Sequence, residues 1–178
     1  MLMLEGCVQP ALSPATSAAA ARMLDRLGIT AVRPAGAGCC GALSLHLSAQ
    51  EEAYAYMRRN IDAWWLHLER GAEAILTTAS GCGITVKDYG ELLQHDTDYA
   101  AKARRISELA RDISEIISAH KDQVRALLER ASPITHYPSL AFHAPCTLQH
   151  GMKLKGSVET LLTDLGFKLA PVAAAHVC

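Results

Sequence analysis

Short strand-like segments, each ending close to a cysteine, are the feature that most limits how this chain can fold. Five apolar or β-branched runs have this character, at residues 2–4, 29–32, 74–78, 140–143 and 167–172. Longer intervals repeat apolar residues with helical spacing, most clearly at 15–27, 48–71 and 100–120. Strands that alternate with helices predict an α/β fold, made of βαβ units around a largely parallel sheet.

The cysteines stand in or near the loops that follow these predicted strands. They are Cys7, Cys39, Cys40, Cys82, Cys146 and Cys178. Right-handed crossovers bring the carboxyl ends of parallel strands to one edge of a sheet, and ligands bind outside that edge. We therefore expect cysteines that are distant in sequence to meet at one rim. Inert core cysteines would instead stand inside strands or on helix faces.

Two of the predicted helices have definite limits. The first begins at Ser48, which forms a capping box with Glu51, and it ends at Gly71. The second runs unbroken over 100–120, because its apolar residues share one helical face. In the adjacent pair Trp64 and Trp65, we expect one side chain to anchor the core. The alternative for this pair is a partner-docking patch.

Charge and composition exclude several classes of protein. The chain carries 17 basic and 18 acidic residues, and no stripe of Lys or Arg offers the phosphate contacts that nucleic acids require. Apolar runs are shorter than a transmembrane segment needs, and the N-terminus lacks the basic region of a secretory signal. These features predict a cytoplasmic protein. In that reducing compartment, grouped cysteines indicate metal or redox chemistry rather than a disulfide framework.

The spacing of the cysteines repeats. Thirty-one residues separate Cys7 from Cys39, and thirty-one separate Cys146 from Cys178. Each interval holds a predicted helix, a Leu-Gly stop, a short strand, a proline and a small-residue loop. This order predicts two copies of one unit, in domains 1–132 and 133–178, with the boundary in the polar segment ASPITHYP. The second copy ends where its vicinal cysteine would stand, so we expect the chain to be a piece of a longer protein.

A cysteine followed after 31 residues by Cys-Cys-Gly, in duplicate, resembles the cysteine-rich CCG domain of iron–sulfur electron-transfer proteins, which include the cysteine-rich subunit of heterodisulfide reductase. The segments MLEGCVQPALSP, AGCCGA, NIDAWW, GAEAILTTASGCG, AFHAPCTLQHG and HVC are similar to the C-terminal half of iron–sulfur subunits of the glycolate oxidase (glycolate dehydrogenase) family. The similarity extends over essentially the whole chain.

This resemblance implies an electron-transfer role rather than catalysis by the chain itself, and no catalytic residues are assigned. Family members relay electrons from flavin-containing subunits, which oxidise glycolate to glyoxylate, toward the quinone pool. They also carry a ferredoxin-type region, whose C-x2-C-x2-C-x3-C-P run does not occur here. The resemblance implies a cytoplasmic protein, or one held peripherally at the inner face of the membrane through its complex.

The resemblance also implies an iron–sulfur cluster at the first copy. Its cysteines supply four thiolates, the number that a [4Fe–4S] cube needs: Cys7, Cys39, Cys40 and Cys82. The flanking glycines are expected to let both backbone loops bend and to leave room for the cofactor: Gly38, Gly41, Gly81 and Gly83. The sequence departs from the family at Ala79, where the first cysteine of a C-x-x-C pair would stand.

The second copy offers fewer ligands. Cys146 and Cys178 are candidate metal ligands, with His143 and His150 near Cys146, but these residues are too few for a complete cluster. A cluster is therefore expected at the first copy, and a fragment of this length could lack it altogether. Three alternatives stay open for the first copy: a zinc site, inert thiols, or a cofactor-free thiol–disulfide or interaction domain that uses Cys39 and Cys40.

Overall fold

The computed structural model describes residues 1–131 and 139–173. The chain divides into two compact units, Met1–Asp112 and Ile113–Cys178. The segment ASPITHYP, where the domain boundary was predicted, lies almost wholly outside the described residues. The compact units divide after Asp112, and the domain limit at residue 132 stays a prediction. Among the described residues, no helix is long and apolar enough to cross a membrane.

The first unit is built around a buried parallel sheet, so the predicted α/β class is confirmed. Its strands lie in the order β1 (Leu2–Leu4), β2 (Ile75–Thr77) and β3 (Ala110–Asp112). β1 pairs with β2 and β2 pairs with β3, and both pairs are parallel. Val32 forms a single parallel bridge to Leu2, so the predicted strand over 29–32 is reduced to one residue on the far side of β1.

Helices cover this sheet and complete the core of the first unit. They are α1 (Gln9–Leu12), α2 (Pro14–Arg26), α3 (Ala42–His46), α4 (Gln50–Glu69), α5 (Ser80–Lys87), α6 (Tyr89–Leu92) and α7 (Ala100–Leu109). The apolar stripe predicted for α4 is buried, with Met57, Ile61 and Trp64 fully enclosed. Such a stripe lets a long amphipathic helix pack on a sheet. Asn60 interrupts it, yet its side chain is equally buried.

The predicted capping box at Ser48 is wrong. Helix α4 begins at Gln50, and no side-chain hydrogen bond caps it. Ser48 instead ends α3: its φ is 62°, its N–H donates to the carbonyl of Leu45, and the N–H of Ala49 donates to the carbonyl of Ser44. These two bonds form a Schellman motif, the usual C-terminal cap of a helix, around a residue in the left-handed conformation.

The predicted unbroken helix over 100–120 is also wrong. Helix α7 ends at Leu109, strand β3 follows, and a new helix, α8, begins at Ile113. Ala110 and Asp112 are buried where β3 pairs with Ile75 and Thr77 of β2. The ladder with β2 outweighs the helical periodicity of this segment, because strand pairing is a long-range effect that local spacing does not contain.

The second unit contains a smaller parallel sheet. Its elements are α8 (Ile113–Ala119), α9 (Lys121–Ala131), β4 (Ser139–Ala141), a π-helical turn (Thr147–Gly151), α10 (Ser157–Asp164) and β5 (Lys168–Ala170). Strands β4 and β5 pair in parallel, with Leu140 opposite Leu169. Lys121 forms an ion pair with Asp164 at 2.5 Å.

The two units share one local arrangement, which is consistent with the predicted repeat. After α2, Gly28 has a φ of 75°, and the N–H of Ile29 donates to the carbonyl of Leu24. After α10, Gly166 has a φ of 94°, and the N–H of Phe167 donates to the carbonyl of Leu162. Both ends are Schellman motifs in which glycine takes the left-handed position without a steric penalty. In each unit the chain then meets the preceding strand in parallel.

Candidate metal centre

The order in which the chain adds strands to the first sheet reverses at β1. The chain leaves β1, crosses to Val32 on one side, and then returns through α4 to β2 on the other side. In open α/β sheets, ligands bind at such a switch point, outside the carboxyl ends of the strands. Cys7 follows β1 at this switch point, Cys39 and Cys40 follow the Val32 bridge, and Cys82 follows β2.

Four free thiols meet at this edge. Cys7 is exposed, Cys39 and Cys82 are partly buried, and Cys40 is buried. The side chain of Cys40 interacts with those of Cys82 and Cys39, and the side chain of Cys39 interacts with that of Cys7. Cys82 also lies close enough to Cys7 and Cys39 for their charges to act on it. The structure thus brings together the four cysteines predicted for the first copy.

The two central thiols have opposite electrostatic environments. The hydrogen bond from Cys82 lowers the pKa of Cys40 from its ordinary value to about 6. The same hydrogen bond, reinforced by burial and by the neighbouring thiolates, raises the pKa of Cys82. The pair is therefore a thiolate that accepts a hydrogen bond from a thiol. Because metals bind the thiolate form, this edge already holds one ligand in the required state.

A cavity of about 220 Å³ opens beside Cys7 and Cys82. Its walls include Gly6, Thr78 and Ala79, and most of its surface is apolar. Gly6 has a φ of 72°, and a Cβ there would lie 3.5 Å from the Cys82 sulfur. Ala79 thus faces the same cavity as two of the thiols. Four soft thiolate ligands suit an iron–sulfur cluster. The cavity beside them leaves space that a side chain at Gly6 would reduce.

The predicted loop around Cys82 is wrong. Cys82 stands in the first turn of α5, between two helical glycines, Gly81 and Gly83. Neither glycine has a positive φ, and a Cβ at Gly81 would meet nothing within 4 Å. The chain turns into a helix directly after β2, so no glycine is needed there to bend the backbone. That Gly81 and Gly83 make room for a cofactor stays a prediction.

The glycines around the vicinal cysteines differ from each other. Gly41 has a φ of 89°, and a Cβ there would lie 2.9 Å from the carbonyl oxygen of Ala53. Gly38 has no such conformation, but the guanidinium of Arg59 covers it, 2.9 Å from where a Cβ would stand. Gly41 therefore has the bent backbone that the sequence predicts. That Gly38 leaves room for a cofactor stays a prediction, because the Arg59 guanidinium lies beside it.

Two buried residues that the sequence analysis did not single out hold the vicinal cysteine loop. Asn60 accepts a hydrogen bond from the N–H of Gly38 at 2.8 Å and donates to the carbonyl of Cys39 at 2.8 Å. Tyr89 donates to the carbonyl of Cys40 at 2.9 Å. Burial raises the pKa of the Tyr89 phenol well above its usual range. The available signal was Asn60 itself, a polar residue on the apolar stripe of α4.

Gln9 was also missed, and it holds the loop of Cys7. Its amide donates to the hydroxyl of Thr78, at the end of β2, and to the hydroxyl of Ser17 at 3.0 Å. Ser17 is buried in α2. One side chain thus joins the segment after Cys7 to the strand end that precedes Cys82, and Gln9 and Thr78 both line the cavity.

The candidate residues of the second copy are only partly described. Cys146 directly precedes the π-helical turn, and His143 and His150 are exposed. Cys178 lies outside the described residues. Within the described ranges, the four thiols of the first unit included, no group of three or more His, Cys, Asp or Glu side chains is arranged to hold a single metal ion. Cys146 is disulfide-bonded and could ligate a metal only after reduction, so metal binding at Cys146 and Cys178 stays a prediction.

Trp64 is the core anchor of the tryptophan pair. It is fully buried, and its ring stacks on that of Tyr89 with centroids 6.3 Å apart. Trp65 is partly exposed, where its indole donates to Glu69 and Lys102 lies over its ring. The expectation that one tryptophan serves the core is confirmed.

Comparison with known families agrees with this architecture. Residues 1–87, which include all four clustered thiols, match the model of the cysteine-rich CCG domain. This part of the chain is therefore similar to cysteine-rich CCG domains, as the vicinal Cys-Cys-Gly motif predicts.

Individual relatives extend the likeness beyond residue 87. The chain is 54% identical over all 178 residues to the glycolate oxidase iron-sulfur subunit of Escherichia coli (strain K12) and spans 42% of that protein. It is 26% identical over 175 residues to the probable glycolate oxidase iron-sulfur subunit of Bacillus subtilis (strain 168) and spans 37% of it. The resemblance to glycolate oxidase iron–sulfur subunits is confirmed.

A third relative carries a different name. The chain is 25% identical over 163 residues to lactate utilization protein A of Anoxybacillus flavithermus, with 90% of the chain and 63% of that protein covered. The chain thus spans between about a third and two thirds of the length of these relatives. The identity to the Escherichia coli protein is about twice as high as the other two values.

Proposed function

We propose that this chain is the cysteine-cluster part of an iron–sulfur subunit that relays electrons in a glycolate-oxidising complex. The observation that carries the proposal is the convergence of Cys7, Cys39, Cys40 and Cys82 from three successive strand ends onto one edge of the sheet. The names of the relatives at 54% and 26% identity support glycolate as the substrate of the complex.

In this proposal the four thiolates hold one cluster, of the [4Fe–4S] type, which takes up and gives up single electrons. The chain's own residues bind and orient it. Cys40 contributes a preformed thiolate, while Cys7 stands at the exposed side. An exposed ligand favours electron exchange with a partner, because the distance to the outside of the protein is short there.

The proposal places the chemistry of glycolate in flavin-containing partner subunits, and it assigns no catalytic residue to this chain. Electrons pass onward to the quinone pool, with the complex in the cytoplasm or at the inner face of the membrane. The likeness to an iron-sulfur subunit of glycolate oxidase supports this arrangement. The competing function is a cofactor-free thiol–disulfide domain that uses Cys39 and Cys40.

Anaerobic reconstitution separates these functions. We expect about four iron and about four sulfide per chain, with brown absorbance, in the unaltered protein. Cys39→Ser, Cys40→Ser, Cys7→Ser and Cys82→Ser should each lose most of the iron, whereas Cys146→Ser should keep it. A protein that binds no iron, but shows four reactive thiols after reduction, would support the thiol domain instead.

The substrate is tested in a second experiment. The reconstituted protein is mixed anaerobically either with flavin-containing glycolate oxidase subunits and glycolate, or with a lactate-oxidising flavoprotein and lactate, at equal turnover of the two flavoproteins. We expect the cluster absorbance to bleach faster with the glycolate oxidase subunits. Equal rates, or faster bleaching with the lactate-oxidising flavoprotein, would contradict the assignment to glycolate.

A further inference from the structure

The backbone of the vicinal cysteines is tied to two fully buried side chains that stand far away in sequence. Asn60 lies in α4, Tyr89 begins α6, and neither side chain is exposed to solvent. Their hydrogen bonds reach Gly38, Cys39 and Cys40, so three consecutive residues of the loop are held.

Every hydrogen-bond donor of the two side chains is used. The amide oxygen of Asn60 accepts from the N–H of Gly38, and its amide nitrogen donates both to Cys39 and to the phenol of Tyr89, the latter at 3.1 Å. The phenol donates its hydrogen bond to the carbonyl of Cys40. An amide and a hydroxyl are both needed, because a carboxylate lacks the donors and a phenyl ring lacks the hydroxyl.

These bonds fix the peptide planes on both sides of Cys40. The carbonyl of Cys39 belongs to the plane before Cys40, and the carbonyl of Cys40 belongs to the plane after it. With both planes held, the buried framework sets the direction of the Cys40 Cα–Cβ bond. The framework is rigid, because the ring of Trp64 stacks on Tyr89 within the core.

We propose that Asn60 and Tyr89 are positioning residues that hold the Cys39–Cys40 peptide so that both sulfurs face one cluster. This inference rests on the proposed function and deepens it. The two residues act through the backbone of the cysteines. Loss of either hydrogen-bonding group frees one peptide plane. The cluster is then bound less tightly, and the reduction potential of the cluster shifts.

The test uses Tyr89→Phe, which keeps the ring and its stacking on Trp64 and removes one hydroxyl. Tyr99→Phe is the matched control, because the Tyr99 phenol donates at 2.9 Å to Asp62, away from the cysteine loop. Both variants are reconstituted in parallel with the unaltered chain. Three quantities are measured: the rate of iron loss to a chelator, the reduction potential, and, in the cluster-free protein, the rate at which Cys39 reacts with maleimide.

For Tyr89→Phe we expect iron loss roughly threefold to tenfold faster, the range that the loss of one buried hydrogen bond predicts, and a shifted reduction potential. Cys39 should also react faster with maleimide. Tyr99→Phe should match the unaltered protein in all three measurements. If Tyr89→Phe matches it as well, the inference is overturned.

Asn60→Ser provides a second variant, since a hydroxyl replaces only part of the amide's hydrogen bonding. Near-ultraviolet circular dichroism first establishes that it is folded. The rate at which Cys39 of the cluster-free protein reacts with maleimide separates this inference from the proposed function. If the unaltered protein binds no iron, the proposed function fails, and the inference is then decided by that rate alone. Faster reaction in both variants supports the positioning role, and unchanged reaction in both overturns it.

Discussion

Gly41 packs directly against the backbone of Ala53, so closely that a Cβ on Gly41 would lie 2.9 Å from the Ala53 carbonyl oxygen. The loop of the vicinal cysteines therefore approaches α4 as closely as a glycine permits. Gly41 also has a φ of 89°, which side-chain-bearing residues rarely adopt.

Gly41→Ala should consequently destabilise the first unit by about 2–4 kcal/mol, the sum of left-handed strain and a backbone clash. Gly28→Ala is the control, because its φ is 75° but a Cβ would meet nothing within 4 Å. It should cost only about 1–2 kcal/mol. Urea unfolding of the cluster-free proteins measures both values, and equal losses would contradict the close contact.

Gly38→Ala should be tolerated, despite the same nominal distance of 2.9 Å. The atom that it would meet is the end of the Arg59 side chain, which can move, and not backbone. We expect a loss below about 1 kcal/mol and an unchanged iron content after reconstitution. A loss as large as that of Gly41→Ala would show that Arg59 is held in place.

The stability of the cluster-free protein should depend on pH through Cys40 and Cys82. Between about pH 6 and pH 9, Cys40 is a thiolate in the folded chain and a thiol in the unfolded chain, so stability rises with pH. Above pH 9 the raised pKa of Cys82 acts in the opposite sense, because only the unfolded chain loses that proton. Stability should therefore be greatest near pH 9, with a rise on the order of 4 kcal/mol between pH 6 and pH 9.

Substitutions at Cys82 test the origin of this rise. Cys82→Ala removes the donor to the Cys40 thiolate, and the increase in stability between pH 6 and pH 9 should largely disappear. Cys82→Ser keeps a hydroxyl donor and should retain much of it. Urea midpoints at several pH values provide the measurement. If Cys82→Ala keeps the full increase in stability between pH 6 and pH 9, the increase comes from another group.

Gln9→Ala should loosen the Cys7 loop, because it removes hydrogen bonds to Thr78 and Ser17. We expect a loss of about 1–2 kcal/mol and faster amide hydrogen exchange at residues 6–9. Gln94→Ala is a matched substitution at an exposed position and should cost less than about 0.5 kcal/mol. Unchanged exchange in Gln9→Ala would mean that other contacts hold the loop.

Local patterns predicted the elements whose information lies within one segment. The spacing of Met57, Ile61 and Trp64 predicted α4, and the apolar run before Gly6 predicted β1. The placement of cysteines after strands predicted their meeting at one edge, because chain topology makes that edge common to all of them. The helix that was predicted to begin at Ser48 failed by only two residues, where two helix-end signals overlap.

The remaining features depend on partners that are distant in sequence. Strand β3 forms because Ala110 and Asp112 pair with β2 in a parallel ladder. The helical spacing of the surrounding residues does not indicate this pairing. The role of Tyr89 depends on a carbonyl 49 residues away. Asn60 was visible only as a polar interruption of an apolar stripe, a signal that predicts burial with partners but does not identify them.

The sheet order also has a consequence for biogenesis. Cys7 and Cys82 become neighbours only when β1 and β2 align, and the whole of α4 must be synthesised between them. Contacts of such sequence separation form late in folding. A ribosome-bound chain therefore exposes the thiol of Cys7 long before Cys82 can join it. Machinery that delivers a preassembled cluster would have to act on a nearly finished domain, and until then Cys7 is open to premature capture of other metals.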